Sequence, residues 1–180
     1  MIRTRVGYAG GETAAPTYRR IGDHSETIQI DFDPTIISYH RLLELFWSSH
    51  DPTARSGSRQ YRAAVFYHDQ DQERAALESR QRASGRLKRP VRTEIRPFTG
   101  FARAEAYHQK HYLRNRRDLM REFGRFGFSD RELTDSTAAA RINGYLGGHG
   151  TRKQFENELP LLGLTEAGEN LLRSIVRQKW

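Results

Sequence analysis

The sequence predicts an α/β (α+β) chain, a mixed sheet with helices packed on it. Three observations carry that prediction. The stretch "ETIQIDFDP" alternates strictly, with Ile28, Ile30 and Phe32 on one face and Gln29, Asp31 and Asp33 on the other, until Pro34 stops it. The next stretch, "ISYHRLLELFWSSHDP", changes to helical spacing. Through the first hundred residues strands and helices then keep alternating, the order that builds a sheet covered by helices.

The elements follow in order. Thr4–Tyr8 alternates and runs into Gly10-Gly11, so it reads as a short strand ending in a turn. After the "ETIQIDFDP" strand, Ser38 can cap a helix whose apolar face is expected at Leu42, Leu45 and Phe46, with Pro52 closing the segment. "QYRAAVFYHD" reads as a second apolar strand. Asp69 opens a polar amphipathic helix by a D-x-x-Q start, with Gly85 as its stop. "RPVRTEIRP" is a strand between two prolines. Beyond residue 100, "RAEAYHQKHYLRN", "RDLMREFGRFG", "DRELTDSTAAARINGY" and "TEAGENLLRSIVRQ" read as helices or short loops without a strand. They are expected to lack a core of their own and to wrap the sheet. Residues 1–150 are expected to form one domain, with 151–180 a helical C-terminal extension packed on it.

Composition narrows the function classes. A chain of 180 residues can bury one real core. Charged residues make up 29% and hydrophobic ones 36%, the latter in periodic blocks that argue against disorder. No apolar run is long enough to span a bilayer, so a soluble, cytoplasmic, monomeric protein without a membrane partner is expected. There is no cysteine, which removes disulfides, thiolate metal sites and a cysteine nucleophile from these residues. The net charge is +8, carried almost wholly by arginine. Its clusters, Arg86–Arg96 and Arg114–Arg125, interleave acids with the arginines and read as solvated faces. No recognised nucleic-acid-binding motif supports the alternative of a basic nucleic-acid-binding module.

The loop between the first two strands is long for so small a domain, and such loops carry function. Tyr18 offers a phenol, Asp23 and His24 precede the strand, and Glu26 stands at its mouth. Partial burial of Glu26 there would favour its acid form and suit it as a proton donor. Asp23, His24, Glu26, His108 and His111 lack metal-ligand spacing, so no metal site is expected. His50 reads as an imidazole bonding the last carbonyls of its helix. Gly144–Gly150 reads as a flexible connector, without phosphate-loop spacing.

Taken in series, "RVGYAGG", "PTYR", "GDHSE" before "IQIDFDP", "ISYHRLLELFWSSHDPT", "QYRAAVFYHD", "AEAYHQKHYL" and "INGYLGG" resemble the A-type peptide methionine sulfoxide reductases. The resemblance covers most of the chain. It implies reduction of the S epimer of methionine sulfoxide, free or in oxidised proteins, and places residues 1–150 in a reductase-like domain. By resemblance a cysteine in a Gly-Cys-Phe-Trp segment attacks the sulfoxide sulfur. Glu26 protonates the oxygen, and Tyr18 hydrogen-bonds it. No bound cofactor is implied; relatives use a thiol reductant such as thioredoxin, which the resulting sulfenic acid needs.

The chain departs from the pattern in three places. The Gly-Cys-Phe-Trp segment is absent, and with it the first strand–helix unit of the family fold. Ala106 and His111 stand where relatives carry Asp and a substrate-oxygen Tyr; Tyr112, next along, is the substitute, so His111 and Tyr112 join the substrate-binding candidates. Leu146 follows "NGY", where many relatives have a recycling cysteine. Two explanations fit. The chain is a truncated form of an active enzyme, its start misplaced at Met1 or an upstream selenocysteine codon read as a stop. Alternatively, it is a degenerate paralogue that binds methionine-like side chains or a protein partner. The intact Tyr18, Glu26 and scaffold blocks favour truncation. A missing strand and helix would leave sheet edges and an apolar face uncovered, so poor solubility and no turnover are expected.

Overall fold

Helix starts fall where the sequence supplies caps. In the computed structural model, which describes residues 2–179, the Ser38 side chain accepts the Arg41 amide and opens α1 (Tyr39–Ser48). Asp69 accepts the Gln72 amide and opens α2 (Gln70–Leu87). Gln72 reaches back past the cap, its Oε1 accepting the His68 amide at 3.1 Å. Met1, where the truncation reading places a false start, lies outside the described residues.

Two compact units divide the chain. The first comprises Val6–Ile28 and Phe32–Ala104. Within it, β3 (Ala64–Tyr67) pairs parallel with β4 (Glu94–Pro97), with Val65 opposite Ile95, and α2 is the crossover between them. Leu43, Trp47, Ala75, Ala76 and Ala83 form the core of this unit, against partly buried Tyr39, Phe46, Val65, Val91 and Ile95. The alanine stripe lets α1 approach α2 closely, and the Trp47 indole N–H donates to Ser79 Oγ at 2.9 Å. The three-stranded sheet has the order β2-β1-β5, with β1 spanning Arg3–Ala9, β2 Ser25–Asp31 and β5 Phe101–Arg103. β5 pairs antiparallel with β1, Tyr8 opposite Ala102.

The second unit holds the described residues up to Arg5, Gln29–Asp31 and everything from Glu105 on. Its helices are α3 (His111–Arg114), α4 (Arg117–Gly124), α5 (Asp130–Asp135), α6 (Thr137–Leu146), α7 (Arg152–Glu158) and α8 (Glu166–Val176). They enclose a core that includes Leu113, Leu119, Ile142, Phe155, Leu159, Leu172 and Val176, none more than 1% exposed. Arg5 ties this unit internally, reaching Asp135 at 2.7 Å and Asp31 at 3.1 Å.

Five expectations are corrected. The helical segments have their own core, because α4, α6 and α8 each turn an apolar stripe inward. The buried face of α1 is Leu43 and Trp47, with Leu45 exposed; the i, i+4 pair with the largest ring wins the interior. Gly85 does not stop α2, which continues to Leu87 and is capped by Lys88 in the left-handed region. A strand does occur beyond residue 100, β5. Gly144 lies inside α6 and Gly147 caps it, so "GYLGG" is a helix end and not a flexible connector. Among the described residues no helix is long and apolar enough to cross a membrane.

Candidate functional site

The long first loop is built around its glycine pair. Gly10 has φ +76°, and a side chain there would strike the Phe66 ring; one on Gly11 would strike the Asp23 carboxylate and the His24 amide. Close approach lets the loop fold back on itself. Asp23 accepts the amides of Glu12 and Thr13 and the Thr13 hydroxyl, and these bonds hold its carboxyl well below the usual range. His24 is buried: its Nδ1 accepts the Gly11 amide at 3.2 Å, which leaves the proton on Nε2 to donate to the Thr13 carbonyl at 2.9 Å. Asp23 and His24 are therefore staples of the loop. Among the described residues no group of three or more His, Asp or Glu could hold a metal ion.

That folded loop sets out Tyr18. Thr17 and Arg20 exchange backbone hydrogen bonds, placing Tyr18 at the tip of a tight turn. Strand alternation then sorts the mouth of β2. Ser25 points inward, accepting Arg62 Nε at 2.6 Å and donating to the Arg59 carbonyl, whereas Glu26 points out. The partial burial expected of Glu26 is absent, since the residue is exposed. The carboxyl is positioned by a partner all the same: Gln60 Nε2 donates to Glu26 Oε1 at 2.6 Å. Tyr61, next to Gln60 on a short 3₁₀ turn (Arg59–Tyr61), shares a side-chain hydrogen bond with Tyr18. That bond, with a smaller contribution from the nearby Glu26 carboxylate, holds the Tyr61 phenol above its usual range.

Tyr18, Glu26, Gln60 and Tyr61 thus form one polar, solvent-facing cluster within the first unit. Sequence reasoning supplied the first two and missed the others. "QYR" adjoins an apolar strand run, and the turn signal that could have found it is Ser56-Gly57-Ser58 just ahead of it.

His111 and Tyr112 belong to the second unit. Both are exposed on α3. Asn115 Nδ2 stands 3.0 Å from His111 Nε2. The Tyr112 ring lies so close to Gly147 that a side chain there would meet it at 3.0 Å. Asn143 of the "INGYLGG" block accepts the Leu113 amide at 3.2 Å, joining α6 to α3. His50 sits as expected, Nδ1 2.9 Å from the Phe46 carbonyl.

Comparison with known proteins gives two family matches that together run from residue 1 to 176. A family model described as peptide methionine sulfoxide reductase matches residues 1–138. A second, for the helical domain of selenoprotein methionine sulfoxide reductase A, matches residues 127–176. The chain is 41% identical over 170 residues to a peptide methionine sulfoxide reductase of Drosophila melanogaster, covering 92% of this chain and 67% of that protein. It is 40% identical over 151 residues to peptide methionine sulfoxide reductase A5 of Oryza sativa subsp. japonica, covering 81% of this chain and 59% of the rice protein. The crystal structure of reduced Mxr1 from Saccharomyces cerevisiae superposes with a TM-score of 0.58 at 27% identity, over 64% of this chain and 71% of that one.

Proposed function

Because this chain belongs to the peptide methionine sulfoxide reductase family, a family of oxidoreductases, we propose that it binds methionine S-sulfoxide by its oxygen at the Tyr18–Glu26 cluster. The observation that carries the reading is the Gln60–Glu26 hydrogen bond at 2.6 Å beside the paired Tyr18 and Tyr61 hydroxyls. A sulfoxide oxygen carries a partial negative charge and accepts two hydrogen bonds. Phenols supply them, and a carboxylic acid can pass on a proton as the S–O bond breaks.

Reduction itself needs two electrons. In a thiol mechanism a thiolate attacks the sulfoxide sulfur, the S–O bond breaks, and oxygen ends on the thiol as a sulfenic acid. A second thiol then forms a disulfide and releases water. No cysteine occurs among these 180 residues, so both thiols are external to them. A thioredoxin-like protein fits the second role. Glu26 and Tyr18 serve the oxygen; His111 and Tyr112, in the second unit, are substrate-binding candidates by family resemblance. A cysteine-free chain needs no oxidising compartment, which agrees with action in the cytoplasm.

Titration with N-acetyl-methionine S-sulfoxide, followed by NMR, tests the reading. The S epimer should bind about tenfold more tightly than the R epimer, and Tyr18→Phe and Glu26→Gln should each weaken it severalfold. Equal binding of both epimers, or of unoxidised methionine, would sink the assignment. The chain alone, without any added thiol, should show no turnover; turnover in the absence of a thiol would overturn the thiol step.

A further inference from the structure

A surface cleft of about 710 Å³ lies wholly within the first unit and shares the 59–61 turn with the cluster above. Five arginines line it, Arg55, Arg59, Arg62, Arg92 and Arg96, against three carboxylates. Two of the arginines hold the fold. Arg62 and Arg96 both donate to the Gly10 carbonyl, at 3.0 and 3.1 Å, and Glu94 stands 3.6 and 3.8 Å from them. The Asp23 carboxylate is spent on the loop, accepting from Glu12 and Thr13.

Three guanidinium groups are left over. Arg92 commits only Nε, to the Thr53 carbonyl at 3.2 Å. Arg55 and Arg59 are exposed, and neither they nor Arg92 form an ion pair among the described residues. Unneutralised charge in a concave surface concentrates its field on an incoming anion. A guanidinium offers parallel N–H groups that match a carboxylate. No aromatic ring lines the cleft on which a nucleobase could stack.

We infer that Arg55, Arg59 and Arg92 form a carboxylate subsite that reads acidic side chains flanking an oxidised methionine in a peptide. The inference rests on the proposed function, because Arg59 directly precedes Gln60 and Tyr61. An extended peptide advances about 3.3 Å per residue, so a neighbouring side chain reaches the cleft while the sulfoxide meets the cluster. The arginines act here as specificity determinants.

Fluorescence anisotropy on the full 180-residue chain tests this, with labelled peptides carrying methionine S-sulfoxide between aspartates or between lysines. The aspartate peptide should bind about fivefold more tightly, the preference shrinking as salt rises. Arg55→Ser with Arg59→Ser, both exposed, should erase most of the preference while leaving the thermal melt unchanged. Adding Arg92→Ser should remove the rest, and lysine at all three positions should restore part of it. Equal binding of the two peptides, or a preference untouched by the serine variants, overturns the proposal. An oligonucleotide that displaces the acidic peptide overturns it too, assigning the cleft to phosphate. An acid preference without discrimination between sulfoxide and methionine supports the cleft and removes the sulfoxide reading alone. Sulfoxide discrimination without acid preference removes the cleft alone.

Discussion

Gln60 donates from Nε2 to Glu26 Oε1 at 2.6 Å, joining the turn ahead of β3 to the first outward residue of β2. The bond fixes a carboxyl that burial does not fix. Gln60→Leu, which keeps the bulk and deletes the donor, should therefore weaken S-sulfoxide binding about threefold to fivefold with an unchanged melt. NMR titration reads it; wild-type affinity in the variant would show that Gln60 does not position Glu26.

His24 makes two bonds from a buried ring, accepting from Gly11 and donating to Thr13. His24→Ala should cost about 2 kcal/mol, two neutral hydrogen bonds at roughly 1 kcal/mol each. Urea denaturation measures it, and amide exchange at Gly11 should accelerate. A variant as stable as the parent would remove His24 as the staple of the loop.

The second unit should fail first when its core is cut. Leu172→Ala opens a cavity at a fully buried position and should cost about 3–5 kcal/mol. Leu161, 78% exposed, gives the control: Leu161→Ala should change stability by less than about 0.5 kcal/mol. Similar losses for the two would contradict the assigned core.

Lys88 ends α2 with φ 50° in the left-handed region, where a side chain is strained. Lys88→Gly should stabilise by about 0.5–1 kcal/mol, and Asp69→Ala at the other end should destabilise by about 1 kcal/mol. Thermal melts of the two variants should move in opposite directions. A destabilised Lys88→Gly would exclude the left-handed cap.

Acid should weaken the second unit through its carboxylates. The hydrogen bond from Arg116 lowers the Asp118 carboxyl to about 2. For Asp31 burial opposes ionisation, but the bonds from Arg5 and Arg3 outweigh it and the net shift is downward. A lowered folded-state value contributes stability that is whole above the unfolded value, about 3.9. It is lost as pH falls through about 2 at Asp118. Stability should thus decline between about pH 4 and pH 2, and Asp118→Asn should flatten part of that slope. Urea midpoints across that range check it, and an unchanged slope would discount the pair.

Ile28 shows where sequence reading met its limit. Alternation placed it with Ile30 and Phe32 on one face, and the strand is there, yet Ile28 is 56% exposed. Period two says which residues share a face, not which face is covered. The α1 stripe failed likewise: helical spacing was legible, but Leu43 and Trp47 were buried by the approach of α2. "QYR" read as the edge of a strand because nothing local shows that Gln60 meets Glu26 from 34 residues away.

The sequence by itself determined the alternation of strands and helices, the caps at Ser38 and Asp69, the family, the missing thiol, and Tyr18 and Glu26 as candidates. Each rests on residue type or short-range spacing, which survives without a fold. Tertiary structure decided that Glu26 is exposed and held by Gln60, and that Tyr61 joins Tyr18. It also decided that the helices from α3 to α8 own a core and that arginines far apart in sequence line one cleft. Those outcomes depend on contacts between distant segments, and such contacts exist only once the chain has closed on itself.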